Sequence, residues 1–188
     1  MDKGQIRKDL IEKRKNIDYS KKMLYDIEMS RKITELELFK RADRVLLFAS
    51  TEDEFNTKYI DAVCRALKKE VYYPRCEDRN GNMSFYKVDS KGQLVLGYFG
   101  IREPIKGLTK FNPAQKGLCI VPALSVDGDF NRIGYGKGYY DRFLRSFRGV
   151  SLCPCYRELI SEKLPCEDTD VKVDIVVTQD AIRRLNRG

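Results

Sequence analysis

The part of the chain with the clearest chemical potential is a glycine-rich stretch in its last third. It reads Asn-Arg-Ile-Gly-Tyr-Gly-Lys-Gly-Tyr-Tyr-Asp over residues 131–141, with glycine at positions 134, 136 and 138. Glycine at alternate positions lets backbone N–H groups converge, and a helix that begins directly afterwards adds unpaired N–H groups and a dipole that favours anions. Arg132 and Lys137 add positive charge. The stretch predicts a phosphate-binding loop, and the structural alternative is a tight strand-to-helix turn.

This stretch matches none of the standard nucleotide or calcium motifs. A Walker A loop needs Gly-Lys followed by Ser or Thr, and a dinucleotide loop needs a third glycine where Tyr139 stands. Just upstream, Asp127, Asp129 and Asn131 imitate the first three ligands of a calcium loop. The sixth position of that loop is arginine rather than glycine, and the twelfth is glycine rather than glutamate, so a calcium site is not expected.

Histidine is absent from all 188 residues, which excludes several classes of enzyme. Ser-His and Cys-His nucleophiles, His-bearing zinc sites and histidine pH switches are unavailable, so proton transfer must use carboxylates, Lys, Tyr, Cys, water or the substrate. The six cysteines contain no CxxC pair, and we expect scattered reduced thiols rather than a disulfide framework. The net charge of +8 favours polyanions such as nucleotides, anionic metabolites or nucleic acid.

The chain length suits one domain, which we place at residues 1–188. No stretch approaches the ~20 apolar residues that a membrane span needs, and the amino end lacks the apolar core of a signal peptide. We therefore expect a cytoplasmic monomer with neither a membrane nor a nucleic-acid partner.

The spacing of apolar residues predicts the elements that must position the glycine stretch. Helices are expected at residues 2–16, about 18–42, 57–70 and 138–147, and a turn at 79–82. Strands are expected at 45–49, 71–74, 83–88, 118–122 and 150–155, and a last one at 173–177. The alternation of strands and helices predicts an α/β fold with a mostly parallel sheet and helices on its faces.

Residues 122–144, centred on the glycine stretch, resemble the signature of the 5-formyltetrahydrofolate cyclo-ligase family, also called 5,10-methenyltetrahydrofolate synthetase. The resemblance extends to Lys3 and Arg7, a basic pair four residues apart on the first helix, and to Phe48-Ala49-Ser50 through Glu54 and Thr57. Tyr-Pro-Arg at 73–75, Glu-Pro at 103–104 and Lys-Val-Asp at 172–174 follow in the expected order. These landmarks cover nearly the whole chain.

The resemblance implies a three-layer α/β sandwich and an ATP-dependent ring closure. In this reaction 5-formyltetrahydrofolate, with or without a polyglutamate tail, becomes 5,10-methenyltetrahydrofolate, and ADP and phosphate are released with the help of Mg²⁺. Phosphorylating the formyl oxygen would let folate N10 attack the formyl carbon and expel phosphate. The implied cofactors are ATP and Mg²⁺, and the protein would position reactants and neutralise charge.

The resemblance also implies roles for individual residues. The catalytic residues would be Glu54, Arg132 and Lys137. ATP would be bound by Lys3, Arg7, Arg132, Gly134, Tyr135, Gly136, Lys137, Gly138, Tyr139, Tyr140 and Asp141. The folate would be bound by Phe48, Ser50, Glu54, Thr57 and Tyr140, and Mg²⁺ by Asp141.

Some of these assignments have alternatives. Asp141 could stabilise a helix dipole, Glu54 could be one of three solvated acids at 52–54, and Tyr140 could belong to the core. Val126 stands where the family usually has phenylalanine, which makes ATP binding a firmer expectation than the identity of the substrate. The rival functions are a nucleotide-dependent relative with another acceptor and a basic RNA-binding module, whose affinity would fall steeply with salt.

Overall fold

The computed structural model describes residues 2–78 and 80–186, and five α-helices and eleven β-strands lie within them. The helices are α1 (Lys3–Lys15), α2 (Tyr19–Glu35), α3 (Glu37–Arg41), α4 (Lys58–Ala66) and α5 (Tyr139–Ser146). The first six strands are β1 (Arg44–Leu46), β2 (Glu70–Cys76), β3 (Met83–Lys87), β4 (Leu94–Leu96), β5 (Arg102–Pro104) and β6 (Leu118–Ile120). The others are β7 (Ser125–Val126), β8 (Arg132–Ile133), β9 (Val150–Pro154), β10 (Ile175–Val177) and β11 (Ile182–Arg184).

Seven strands form the central sheet in the order β11-β10-β9-β6-β1-β2-β3. The five inner strands are parallel, and the edge strands β3 and β11 pair antiparallel with their neighbours. The chain proceeds from β1 outward to β2 on one side and from β6 outward to β9 on the other. The direction of winding therefore reverses between β1 and β6. Open α/β sheets bind ligands beyond the carboxyl ends of the strands at such a reversal.

The helices cover both faces of this sheet. Parallel crossovers are right-handed, so α4 between β1 and β2 and α5 between β6 and β9 must lie on opposite faces. α2 packs against α4, and α5 packs near β3. The prediction of a three-layer α/β sandwich with a mostly parallel sheet is confirmed.

The amino-terminal helices begin at aspartate caps. The carboxylate of Asp2 accepts a hydrogen bond from the N–H of Gly4, and that of Asp18 accepts one from the N–H of Lys21, each at 3.0 Å. The prediction of one helix over residues 18–42 is wrong, because Leu36 is extended, with φ −60° and ψ 134°, and separates α2 from α3. Leu36 is buried, and the break lets both α2 and the short α3 pack against the core, through Met29 and Ile33 of α2 and Phe39 of α3. None of the described helices has the length and apolar character to cross a bilayer.

Several short strands were not predicted. The β4–β5 and β7–β8 hairpins and the edge strand β11 contain only two or three residues per strand. An alternation of apolar and polar residues cannot be recognised over so few positions. Residues 173–177 therefore do not form the last strand, because β11 follows β10. The predicted turn at 79–82 is present from residue 80, whereas Arg79 lies outside the described residues.

The six cysteines are all free, as the sequence predicts, and differ in access to solvent. Four are buried, namely Cys64, Cys119, Cys153 and Cys155. Burial raises the pKa of Cys64 to about 12 and that of half-buried Cys76 to about 11, so their thiolate fractions are minute at neutral pH. We expect one rapid reaction with Ellman's reagent, at exposed Cys166. The substitution Cys166→Ser should abolish the rapid phase, and a second rapidly reacting thiol in the native protein would contradict this packing.

Candidate active site

Two loops begin side by side at the point where the winding of the sheet reverses. Residues 47–57 follow β1 and residues 121–138 follow β6, and these two strands are paired neighbours. The first loop carries Glu54, and the second contains the glycine loop, defined here as residues 132–138. The two halves of the predicted site therefore start from adjacent strand ends.

Hydrogen bonds within the first loop hold Glu54 in place. The hydroxyl of Thr57 donates to the carbonyl of Phe48 at 2.7 Å, and the Ser50 hydroxyl accepts from the N–H of Thr57 at 3.0 Å. Oε2 of Glu54 accepts from the N–H of Thr51 at 2.9 Å, and Glu54 is only 6% exposed. It is therefore no solvated charge. Folate binding by Phe48, Ser50 and Thr57 stays a prediction, since the contacts seen for them tie the loop together.

Glu54 lies within electrostatic reach of two tyrosines from the other half of the site. Burial, together with the neighbouring Cys119 and the charge of Glu54, raises the pKa of Tyr140 well above its ordinary value. Desolvation and the charge of Glu54 also raise the pKa of Tyr135. Both phenols therefore stay protonated at neutral pH and are able to donate hydrogen bonds.

The approach to the glycine loop is organised by Asp127, which is 1% exposed. Its Oδ1 accepts from the N–H groups of Asp129 and Asn131, at 2.9 and 3.0 Å. Its Oδ2 accepts from the Asn131 amide and from the N–H of Leu164, both at 3.0 Å. These four donors tie the carboxylate to the β7–β8 hairpin and to Leu164, and so shape the approach to the glycine loop.

Gly136 and Gly138 give the glycine loop its shape. Their φ angles are +93° and +69°, in the left-handed region that glycine tolerates without strain. A Cβ atom at Gly136 would lie 3.0 Å from Cζ of Arg7, so glycine also admits this guanidinium close to the backbone. No side chain caps the start of α5 at Gly138. The N–H groups there remain suited to an anion.

Arg132 supplies a positive charge beneath this loop. Its Nη2 lies 2.9 Å from Oδ1 of Asp141, and its guanidinium carbon lies 5.7 Å from the centre of the Tyr140 ring. Two buried polar atoms at this position have no hydrogen-bond partner among the described residues, namely Nε of Arg132 and the hydroxyl of Tyr140. Buried polar groups normally have partners, so these two atoms fit a polar ligand such as a phosphate oxygen.

Asp141 does not by itself make a resident metal site. Its Oδ1 accepts from Arg132 and also from the N–H of Val171 at 3.1 Å. Within residues 2–78 and 80–186, no group of three or more carboxylates or thiolates could hold a metal ion. Asp141 is therefore first the partner of Arg132, and its assignment to Mg²⁺ stays a prediction. A single carboxylate is typical only of Mg²⁺ that arrives with nucleotide phosphates.

The helix α1 folds back onto the glycine loop. Nε of Arg7 donates to the carbonyl oxygen of Gly134 at 2.9 Å, across 127 positions of sequence. This contact brings the amino-terminal basic residue predicted to bind phosphate directly to the loop predicted to do the same. Of the basic residues on α1, Arg7 is the one that the structure brings into contact with Gly134 and Gly136.

Lys3 also reaches this end of the sheet, but its charge is already compensated. Its Nζ lies 2.8 Å from Asp170 and 2.9 Å from Glu167. Desolvation opposes both charges, yet the bonds outweigh it, so the pKa of Lys3 is raised and that of Asp170 is lowered. The pair stabilises the fold fully between pH 3.8 and pH 10.5, the ordinary pKa values of Asp170 and Lys3. This stabilisation is lost as the pH falls through the lowered pKa of Asp170 or rises through the raised pKa of Lys3. Phosphate binding by Lys3 would require an exchange of partners.

Other predicted residues have different positions. Lys137 is exposed, and its ammonium forms no ion pair within the described part of the chain. The hydroxyl of Tyr139 donates to the carbonyl of Asp78 at 2.9 Å, which packs the start of α5 against the β2–β3 turn. Sequence reasoning missed Arg142, whose Nη1 donates to the carbonyl of Lys137 at 2.8 Å and braces the glycine loop. Its position one helical turn after Gly138 was the available signal.

The Arg132–Asp141 pair leads to a prediction with two readouts. Arg132→Ala should reduce transition-state stabilisation by roughly 2–4 kcal/mol, as the loss of a well-placed donor does. It should also lower the free energy of unfolding, because Asp141 loses its charged partner. Asp141→Asn is the matched variant, since it removes the ion pair and keeps Arg132. Steady-state kinetics and urea unfolding separate the effects, and equal losses of stability with unchanged turnover in both variants would make the pair purely structural.

The chain is similar to known proteins over nearly its whole length. The model of the 5-formyltetrahydrofolate cyclo-ligase family matches residues 1–179. The 5-formyltetrahydrofolate cyclo-ligase of Mus musculus is 24% identical over 191 residues, which cover 95% of this chain and 94% of the mouse protein. The Escherichia coli K12 protein of the same name is 29% identical over 147 residues, or 75% of this chain and 80% of that protein.

Solved structures agree with these sequence matches. The 5,10-methenyltetrahydrofolate synthetase of Aquifex aeolicus is 31% identical, has a TM-score of 0.88, and the match covers 100% of this chain and 95% of that one. The Mycoplasma pneumoniae 5,10-methenyltetrahydrofolate synthetase, at 20% identity, TM-score 0.75 and coverages of 94% and 98%, supports the fold alone. The resemblance noted around the glycine loop is confirmed, and the chain belongs to the 5-formyltetrahydrofolate cyclo-ligase family.

Proposed function

We propose that this chain converts 5-formyltetrahydrofolate into 5,10-methenyltetrahydrofolate, consuming ATP and releasing ADP and phosphate. The observation that carries the proposal is the meeting of two chemically different halves at the reversal between β1 and β6. One half is the buried carboxylate of Glu54, and the other is the glycine loop with the unpartnered Nε of Arg132. Family membership supports the folate substrate, and the loop with its cations supports a nucleotide.

The chemistry explains why the two halves are needed together. A formamide oxygen is a poor leaving group, and ATP supplies the phosphoryl group that makes it a good one. Folate N10 then attacks the formyl carbon, the new C–N bond forms, phosphate leaves with the former formyl oxygen, and N10 gives up its proton. Glu54 is the base that we assign to this proton, because it is buried, hydrogen-bonded through one oxygen and located beside the glycine loop.

On the phosphate side, the chain's task is to neutralise and orient charge. Arg7 contacts the loop from α1, Arg132 is the first residue of the loop itself, and the uncapped start of α5 offers backbone donors. Such preorganised donors stabilise the charge that develops during phosphoryl transfer. Mg²⁺ would accompany the nucleotide, held mainly by phosphate oxygens, and Tyr140 would line the boundary between the two substrates. Lys137, exposed and unpaired within the described residues, is free to turn towards the phosphates.

A groove of about 400 Å³ adjoins the Glu54 loop and suits the remainder of a folate molecule. It lies between α2 and residues 50–59, and exposed apolar side chains line it, namely those of Tyr19, Met23, Ile27 and Tyr59. Lys22 and Lys58 contribute positive charges to the lining, and Asp26 and Glu52 contribute negative ones, with Lys22 already paired to Asp26. We assign this groove to the aminobenzoyl ring and its glutamate carboxylates, and the net charge of +8 favours a polyglutamylated tail.

The cellular setting that we propose is the cytoplasm, with the chain acting as a monomer. The six free cysteines agree with a reducing compartment. Size-exclusion chromatography with light scattering measures the oligomeric state directly.

The test is an absorbance assay of the methenyl product with purified protein, ATP, Mg²⁺ and 5-formyltetrahydrofolate. Product should accumulate only with the complete mixture, and omission of any one component should stop it. ADP should form in equal amount, because one ATP is consumed for each ring closed. Folded protein with no turnover in the complete mixture would overturn the proposal. ADP release with another folate, but not with this one, would favour a relative that uses a different acceptor.

A further inference from the structure

Arg14 is an arginine buried without an opposite charge. Its residue is 5% exposed, and across residues 2–78 and 80–186 it forms no ion pair. Burying a guanidinium is costly unless its hydrogen bonds and charge are used. No step of the proposed reaction uses this residue, so its two hydrogen bonds are the observations that indicate its role.

Both hydrogen bonds connect α1 to the loop that follows β6. One Nη of Arg14 donates to the carbonyl of Ala123 at 3.3 Å, and the other donates to the hydroxyl of Tyr135. The guanidinium carbon also lies 5.6 Å from the centre of the Tyr135 ring, within the range of a cation–π contact. Tyr135 as a residue is 54% exposed. Arg14 is therefore the group that fixes the direction of an otherwise solvent-facing side chain.

The bond to Arg14 leaves the Tyr135 proton available. A phenol that accepts a hydrogen bond from a guanidinium uses an oxygen lone pair and keeps its O–H as a donor, strengthened by the adjacent positive charge. Desolvation and the charge of Glu54 raise the pKa of Tyr135, so the phenol stays protonated at neutral pH. The loop that carries Tyr135 begins beside the loop that carries Glu54, because β1 and β6 are paired neighbours.

Arg14 lies two helical turns after Arg7, so both project from one face of α1. Arg7 donates to the carbonyl of Gly134, and Arg14 donates to the side chain of the next residue, Tyr135. One helix thus contacts two successive residues of the glycine loop. The backbone contact belongs to the phosphate half, and the side-chain contact sets the direction of the Tyr135 hydroxyl.

We propose that Arg14 is a positioning residue that directs the Tyr135 hydroxyl so that it donates a hydrogen bond to the formylated folate beside Glu54. The inference rests on the proposed function and assigns the Tyr135 side chain, which the family resemblance places among the ATP-binding residues, to recognition of the folate instead. Arg14 governs productive binding of the folate and leaves nucleotide binding to Arg7 and Arg132.

The test is a double-mutant cycle with Arg14→Met, Tyr135→Phe and the combined variant. We expect each single variant to lower kcat/KM for 5-formyltetrahydrofolate by about tenfold or more, the size of one charge-assisted hydrogen bond. The KM for ATP should change by less than about twofold, since only the folate half is altered. The combined variant should be no worse than Tyr135→Phe, because Arg14 acts through that hydroxyl.

Two further variants make the result decisive. Lys13→Met removes a positive charge from an exposed position next to Arg14 and should match the wild type. Arg14→Lys keeps the charge but loses the planar fork, so its kcat/KM for 5-formyltetrahydrofolate should lie between those of wild type and Arg14→Met. If Arg14→Met does not fold, Arg14→Lys replaces it in the double-mutant cycle. Additive losses, or wild-type kcat/KM in Tyr135→Phe, would overturn the inference while the wild type turns over normally. An inactive wild type would instead contradict the proposed function, and this inference would fail together with it.

Discussion

Glu54→Gln should reduce turnover of 5-formyltetrahydrofolate by about 10²–10⁴-fold, the range typical of a lost general base. The substitution preserves the shape of a side chain that is 6% exposed and keeps an oxygen that accepts from the N–H of Thr51. It removes the charge and the basicity needed to take the N10 proton. Because the glycine loop, Arg7 and Arg132 are unchanged, affinity for a non-hydrolysable ATP analogue should remain within about threefold of wild type.

The control for this prediction is Asp53→Asn, which neutralises the adjacent acid of the same loop. We expect it to retain most activity, because only Glu54 is held by the Thr51 bond. Stopped-flow measurement of product formation and calorimetry of the ATP analogue give the two readouts. A Glu54→Gln protein that lost ATP affinity but kept its rate at saturating ATP would assign Glu54 to the nucleotide half.

Deletion of residues 1–8 should abolish ATP binding and leave most of the core folded. The deletion removes Arg7, which donates to Gly134, and Lys3, which pairs with Asp170 and Glu167. Hydrogen bonds to charged groups contribute about 1.5–3 kcal/mol each, so losing Arg7, together with Lys3 once it has exchanged its carboxylate partners for phosphate, should raise the dissociation constant about a hundredfold. Among the described residues of this segment, Ile6 is the one that packs against the core, and the buried Leu10 remains.

Calorimetry with a non-hydrolysable ATP analogue, alongside circular dichroism, measures both parts of this prediction. Arg7→Ala should reproduce most of the loss of affinity, and Lys8→Ala, at an exposed position of the same helix, should not. A truncated protein that stays folded and binds the analogue as tightly as the full chain would contradict this prediction. It would show that the amino-terminal cations are a solvated surface that does not bind ATP.

The architecture was predictable because the inner strands are apolar runs separated by amphipathic helices. β1, β6 and β10 are buried from end to end or nearly so, and such runs are visible in a sequence. The kink at Leu36 and the two-residue strands β7 and β8 were not visible. They depend on contacts distant in sequence, such as the bond from the N–H of Leu164 to Asp127. Local periodicity carries no information about such partners.

The site was predictable in part for a similar reason. The glycine loop lies in one continuous stretch, and its resemblance to a family brought Arg7 and Glu54 with it. The contacts of other site residues were not predictable. Lys3 pairs with residues more than 160 positions away, and Asp141 accepts hydrogen bonds from both Arg132 and the N–H of Val171. Arg14 escaped notice because nothing in an amphipathic basic helix distinguishes an arginine that will be buried from its solvated neighbours.

The most direct measurement follows the formyl oxygen itself. Substrate carrying oxygen-18 in the formyl group is turned over with ATP and Mg²⁺ in ordinary water, and the released inorganic phosphate is analysed by mass spectrometry. We predict that each phosphate carries the label, because the formyl oxygen is phosphorylated before N10 displaces it. Unlabelled phosphate together with labelled water would contradict phosphorylation of the formyl oxygen by this chain.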